Sequence, residues 1–71
     1  MIDKKELKKA LFLHDVTVTM IAEAANVSES TVYRWLKHPE KLNIGMVELI
    51  KEIAHLDRDE FTRIFYPETV A

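Results

Sequence analysis

The chain has 71 residues, of which 48% are hydrophobic and 31% are charged, and its net charge is −2. This length allows one small domain, and the composition is that of a globular protein. The absence of cysteine excludes disulfides, thiolate zinc sites and thiol redox chemistry. A chain of this size has little room for the pocket of an enzyme, so a binding module is expected rather than a catalyst.

The chain offers no targeting or membrane signal. The N-terminal sequence becomes charged at Asp3, and no stretch approaches the roughly 20 apolar residues of a membrane helix. We therefore expect no signal peptide, no membrane partner and a cytoplasmic location. Only one glycine and two prolines occur, and the β-branched residues do not alternate along the chain. These features predict an all-α fold without strands.

The first predicted helix runs from about Lys4 to Leu13. Asp3 and Glu6 have the spacing of a capping box at its start. Helical periodicity places three apolar side chains on its inward face, namely Leu7, Ala10 and Leu11.

The second and third helices are predicted to be separated by a short turn. Thr17 caps the second helix, and Asn26 ends it because Asn tolerates the left-handed conformation. The inward side chains of the second helix are expected to be Ile21, Ala24 and Ala25, with the small Ala22 where helices approach closely. Ser28 caps the third helix, which covers Glu29 to Lys37 and ends before the His38-Pro39 dipeptide; its apolar side chains are Val32, Trp35 and Leu36.

Two further helices complete the prediction. Asn43 caps the fourth, whose stripe consists of Val47, Ile50 and Ala54, widened by Met46, Leu49 and Ile53. Asp57 and Glu60 form a capping box for a short fifth helix, which contains Phe61, Ile64 and Phe65 and stops before Pro67. Residues 1–67 are thus expected to form one domain, followed by a frayed tail at 68–71.

Positive charge lies in the first part of the chain. Residues 1–41 carry seven basic and six acidic side chains, whereas residues 42–71 carry three basic and six acidic ones. A nucleic-acid module usually presents a basic face. The patch available here is modest, so the non-specific affinity for a polyanion is expected to be weak.

The segment from Val18 to Lys37, VTMIAEAANVSESTVYRWLK, resembles the helix-turn-helix of lambda-type repressors and Cro proteins, the family often called XRE-like. Small Ala22 would let the two helices cross, and the apolar wedge would comprise Ile21, Ala25, Val27, Val32 and Trp35. Asn26 stands where this family usually has glycine. The closing segment from Leu56 to Tyr66 looks like the last helix of small regulators from temperate phages of Gram-positive bacteria. The resemblance covers nearly the whole chain and implies a five-helix, lambda repressor-like domain.

The resemblance also implies a DNA-binding site. The third helix would enter the major groove, with Glu29, Ser30 and Arg34 facing base edges and Thr31 and Tyr33 nearby. Arg34 is suited to a bidentate bond with guanine, Ser30 to either base type and Glu29 to a cytosine amino group. The candidates for phosphate contacts are Thr17, Thr19, Lys37 and Lys41, and Ser28 caps the helix that carries the site.

Two functions remain open on the sequence alone. The first is a Cro-like or repressor-like regulator of a phage lysis-lysogeny switch, whose two copies would bind a double-stranded operator and would pair through the fifth or first helix, or only on DNA. The second is an antirepressor that binds the DNA-binding domain of a partner phage repressor. Three features weaken the first function: Val18 in place of the family's usual Gln, the anionic Glu29, and the apolar run Leu11, Phe12 and Leu13. That run is a possible protein interface. The acidic net charge suits the second function, because a basic DNA-reading surface attracts an anionic partner. DNA binding is nevertheless the first expectation, because Arg34, Lys37 and the Ser28 cap lie where base reading would need them.

Catalytic and metal chemistry are not expected. His14, His38 and His55 lack the spacing that would place two of them on one helical face. The sequence contains no arrangement typical of a catalytic triad and no glycine-rich phosphate loop. We therefore predict no catalytic residues, no metal site and no cofactor.

Overall fold

The computed structural model describes residues 2–69, which contain five α-helices and no strand. The helices are α1 (Lys4–Leu13), α2 (Val18–Ala25), α3 (Glu29–Lys37), α4 (Ile44–Ala54) and α5 (Arg58–Phe65). The all-α prediction is confirmed for these residues, and the boundaries that the sequence predicts for the first three helices agree with the structure. Two short 3₁₀ helices, Pro39–Lys41 and Pro67–Thr69, are additions that the sequence analysis did not predict.

Each α-helix begins directly after the capping residue that the sequence predicts. The side chains of Asp3, Thr17, Ser28, Asn43 and Asp57 each accept a hydrogen bond from a backbone N–H three residues ahead. Such bonds satisfy amides that have no partner within the helix. These caps depend on residues close in sequence, which explains why local patterns locate the helix starts so well.

The capping box predicted for α5 is complete, whereas that predicted for α1 is only half formed. In α5, Asp57 and Glu60 each accept from the other's backbone N–H. In α1, Asp3 accepts from the N–H of Glu6, but its own N–H donates to the carbonyl of Ile64, at 2.7 Å. A bond to α5 thus replaces the local one and ties the start of α1 to the end of the domain.

The core is apolar and lies among all five helices. α1 packs against α3 and α5, while α2 packs against α3 and α4. The largest fully buried side chains are Leu7, Ile21, Val32, Ile50 and Ile64. The predicted inward face of α1 is confirmed, because Leu7, Ala10 and Leu11 are all buried.

The structure differs from the sequence-based predictions at Ala24 and in the C-terminal tail. Ala24 was expected to face inward, but it is exposed, and Ala22 is buried beside Ile21 instead. The reason is the helical phase of α2, since positions 21 and 22 face α3 and α4 while position 24 faces away. Of the tail predicted to fray, Glu68 and Thr69 belong to the second 3₁₀ helix, and residues 70 and 71 lie outside the described range, as does residue 1.

A polar contact joins the end of α1 to the start of α5. The Nε2 atom of His14 lies 2.8 Å from Oε2 of Glu60. This hydrogen bond, together with the bond that Glu60 accepts from the N–H of Asp57, lowers the pKa of the Glu60 carboxyl. The ionised form of Glu60 is therefore favoured by folding.

We expect Glu60→Gln to flatten the dependence of stability on acid pH. The folded-state pKa of Glu60 lies below its ordinary value of 4.5. Its contribution to stability is therefore present above that ordinary value and disappears as the pH falls through the lowered folded-state pKa. Urea midpoints of the wild type and the variant should differ near neutral pH and converge in acid. The control is Glu52→Gln, which removes an exposed carboxylate from α4. If the urea midpoint of Glu60→Gln differed from that of the wild type by the same amount at every pH, the lowered pKa of Glu60 would not be the cause of the difference.

Candidate nucleic-acid interface

A three-residue turn, residues 26–28, sets the position of α3 relative to α2. Asn26 adopts the left-handed conformation, with φ 57° and ψ 47°, and its N–H donates to the carbonyls of Ala22 and Glu23. Val27 then donates to the carbonyl of Ala22 at 3.0 Å. These bonds close the end of α2, and the left-handed conformation of Asn26 redirects the chain towards α3. The predicted role of Asn26 at this turn is confirmed.

We expect Asn26→Ala to cost about 1 kcal/mol of stability, because a Cβ-bearing residue without a local polar partner is strained at positive φ. Asn26→Gly should remain close to the wild type, since glycine adopts this conformation without strain. Thermal or urea unfolding of both variants measures the difference. Equal stability of the alanine and glycine variants would show that the left-handed turn is not retained in solution.

Ser28 fixes the first turn of α3. Its Oγ atom accepts from the N–H of Thr31 at 3.2 Å and lies 3.0 Å from the Thr31 hydroxyl. Thr31 is half-buried, so of the predicted α3 positions it is the least available to a ligand. Ser28 and Thr31 therefore act first as structural residues that hold the N-terminal end of α3.

The exposed face of α3 carries the predicted contact residues. Ser30 and Arg34 are both exposed and stand four residues apart, so they lie on one side of the helix. Tyr33 and Lys37 form a second exposed row beside them, and Tyr33 is 60% exposed. On the opposite side, Val32 is buried in the core. Ser30 and Arg34 are therefore both accessible to another molecule.

Two of the predicted contact residues bind each other. The hydroxyl of Thr19 donates to Oε2 of Glu29 at 3.0 Å, which joins α2 to the start of α3. The Glu29 carboxylate is also favourably placed at the N-terminal end of the α3 dipole. In this conformation one oxygen of the Glu29 carboxylate is held by Thr19 of α2, which restricts how far the carboxylate can reach towards a base. Thr17 caps α2 by accepting from the N–H of Met20, a bond that leaves its hydroxyl hydrogen available to a phosphate.

Basic side chains gather at the C-terminal end of α3. Lys37 and Lys41 are exposed, and Lys41 lies in the 3₁₀ helix that follows α3. The Nζ atom of Lys4 lies 3.4 Å from the carbonyl oxygen of Lys37, so the start of α1 lies beside the end of α3. Lys4 and Lys8 are not among the contact residues predicted from the sequence. Lys4, Lys8 and Phe12 follow one another at intervals of four residues, and this spacing could have indicated that they share one face of α1.

An open groove of about 730 Å³ runs between α1, α2 and α3. Its apolar side chains include the strongly exposed Phe12 and Tyr33. Leu11 is only 6% exposed, so it belongs to the core and to the groove floor rather than to an exposed run with its neighbours. Leu13 is exposed, but it lines a different and more polar depression with Glu6 and Lys9. The predicted apolar run is thus divided between the groove, which holds Leu11 and Phe12, and the second depression, which holds Leu13.

Residues 2–69 hold no group of three or more His, Asp or Glu side chains placed to bind a metal ion. His14 contacts Glu60, and Nδ1 of His38 lies 3.5 Å from Oε2 of Glu40. His55 is the left-handed residue that ends α4.

No helix within residues 2–69 combines the length and the apolar character needed to cross a membrane.

Comparison of the chain with known protein families, with curated proteins and with solved structures found no match.

Proposed function

We propose that the chain is a sequence-specific DNA-binding transcriptional regulator of the Cro or repressor type, in which α2 and α3 act as a helix-turn-helix. The observation that carries the proposal is the exposed pair Ser30 and Arg34 on one side of α3. The left-handed turn at Asn26 and the Ser28 cap hold this helix against α2. A helix presented in this way is suited to the major groove.

The side chains on α3 have the chemistry needed to distinguish base pairs. Arg34 can donate two parallel hydrogen bonds to a guanine, the commonest specific contact in the major groove. Ser30, one turn earlier, can donate to or accept from a neighbouring base. Because Glu29 is engaged by Thr19, its role in this proposal is to hold α2 and α3 together rather than to contact a base.

Groups around α3 supply contacts to the phosphate backbone. Lys37 and Lys41 lie at and beyond the C-terminal end of α3, and the Thr17 hydroxyl lies at the start of α2. Such contacts set the register of the protein on DNA without reading its sequence. Since the basic patch around α3 is modest, one copy would neutralise few phosphates and release few counterions on binding. A single copy should therefore bind non-specific DNA weakly.

Two copies on one operator would raise both affinity and selectivity. In helix-turn-helix regulators, the two recognition helices occupy successive major grooves about 34–36 Å apart. The proposed regulator would thus select a near-palindromic site, and the resemblance to small phage regulators suggests a promoter of a lysis-lysogeny switch as the target.

Selection of duplexes from a random DNA pool, followed by a salt-titrated mobility-shift assay, tests this function. We expect the pool to converge on one site, and binding to that site to weaken as salt rises, with a slope set by the small number of phosphates that the two copies neutralise. Arg63→Ala on α5 is a matched control, since it removes an exposed arginine far along the chain from α3. Failure of the pool to converge at low salt, together with no shift of any duplex, would contradict the proposal.

A second candidate function is an antirepressor that covers the DNA-binding domain of another regulator. The bond between Thr19 and Glu29 favours it, because it holds a carboxylate near the exposed start of α3. A basic DNA-reading surface would be attracted to such an anion. The two functions are separated by adding the chain to a purified helix-turn-helix repressor bound to that repressor's own operator. Release of the operator by a chain that itself binds no DNA would establish the second function.

A further inference from the structure

The groove between α1, α2 and α3 has the features of a docking site for a helix. Its floor is formed by the buried Leu11 and Ile21, and its walls by the exposed Phe12 and Tyr33. The half-buried Val16, Val18 and Leu36 complete the apolar surface. Apolar side chains gathered around a concave surface in so small a protein often mark a binding site for another macromolecule.

The charged residues of the groove all have the same sign. Lys4, Lys8 and Lys37 line it, and among residues 2–69 no acidic side chain does. Because Lys4 contacts the carbonyl of Lys37, these two lysines stand at one end of the groove, while Phe12 stands two helical turns further along α1. The groove therefore has a basic end and an aromatic end.

We propose that this groove binds an acidic amphipathic helix of a partner protein. The apolar face of such a helix would cover Phe12, Tyr33 and the floor, and its flanking carboxylates would lie near the three lysines. Opposite charges across the rim would steer the partner into place and disfavour basic competitors. The distance along α1 from Lys4 to Phe12 is about 12 Å, so two to three turns of the partner would be engaged.

The same charges argue against a second copy of the chain as the occupant. In a symmetric dimer, the same patch on each copy faces its counterpart. Such a dimer would bring the lysines of both grooves into one interface, and the described lining holds no carboxylate to offset their repulsion. The lysines of the groove would likewise repel the basic DNA-reading surface of another regulator, so this groove is not a site for such a surface.

Two pairs of adjacent residues on α1 provide matched variants for the test. Phe12 lines the groove and Leu13, also exposed, does not; likewise Lys8 lines it and Lys9 does not. Each pair has the same side-chain class on the same helix, so effects on folding should be alike within a pair. None of the four is assigned to the proposed reading of DNA, so the outcome is independent of that function.

The probe is a designed helical peptide with leucine and phenylalanine on one face and glutamate on the other, titrated into the isotope-labelled chain and followed by NMR. A second peptide with lysine in place of glutamate is the charge control. We expect the acidic peptide to shift the signals of Leu11, Phe12 and Tyr33, and to bind at least about tenfold more tightly than the basic one. Phe12→Ser and Lys8→Glu should each weaken binding by about tenfold or more, whereas Leu13→Ser and Lys9→Glu should leave it unchanged.

Several results would overturn the proposal. Equal affinity for the two peptides would show that the lysines do not select an acidic partner. Signal shifts confined to α4 and α5 would show that the peptide binds outside the groove. Equal losses within each matched pair would show that the groove is not the contact surface. Concentration-dependent dimers that Phe12→Ser abolishes and Leu13→Ser preserves would identify a second copy as the occupant instead.

Discussion

Arg34→Ala is expected to remove about 1–3 kcal/mol of discrimination between the selected duplex and a duplex in which the contacted guanine is replaced. The reason is that the exposed Arg34 is the group on α3 that can donate two parallel bonds to one base. Affinities of the wild type and the variant for both duplexes, measured at the same salt concentration, give the change directly.

Lys41→Gln is the matched control for this experiment. It removes a positive charge from the neighbouring 3₁₀ helix at a position proposed to contact phosphate. It should weaken binding to both duplexes by the same factor and make the salt dependence shallower. If Arg34→Ala also lowers both affinities equally, Arg34 contacts the backbone rather than a base, and the assignment of base reading to α3 fails.

Ile21→Ala is expected to destabilise the domain by about 2–5 kcal/mol, the range for truncation of a fully buried side chain. Ile21 is 0% exposed and lies on α2, which packs against both α3 and α4. A domain of this length has a total stability on the order of 4–10 kcal/mol, so the loss is a large part of it. Urea unfolding at fixed temperature measures the difference.

The neighbouring residue supplies the comparison. Met20 is 42% exposed, so Met20→Ala should change the free energy of unfolding by about 0.5 kcal/mol or less. A similar loss in the two variants would mean that α2 is not packed against the core as described.

The helices could be predicted from the sequence because their signals are local. A capping side chain and the backbone N–H that it binds are three residues apart at the start of each helix. The positive φ values of Asp15 and His55 were not predicted, although Asp and His are enriched in this conformation. Both lie where a helix has just ended, and nothing in the flanking residues distinguishes them from ordinary helix ends.

The candidate site was predictable only in part. The exposure of Ser30 and Arg34 follows from the phase of α3, which Val32 fixes by its burial. The bond between Thr19 and Glu29 and the contact between Lys4 and Lys37 depend on how separate helices pack, and local spacing does not determine that. The burial of Leu11 beside an exposed Phe12 likewise depends on which helices cover α1.

The most direct measurement is an NMR titration of the labelled chain with the duplex selected from the random pool. We expect the largest changes in amide signals on α3 between Ser30 and Arg34, with little change along α4 and α5. Changes centred on α5, or saturation of the duplex with no change at Ser30 and Arg34, would contradict it.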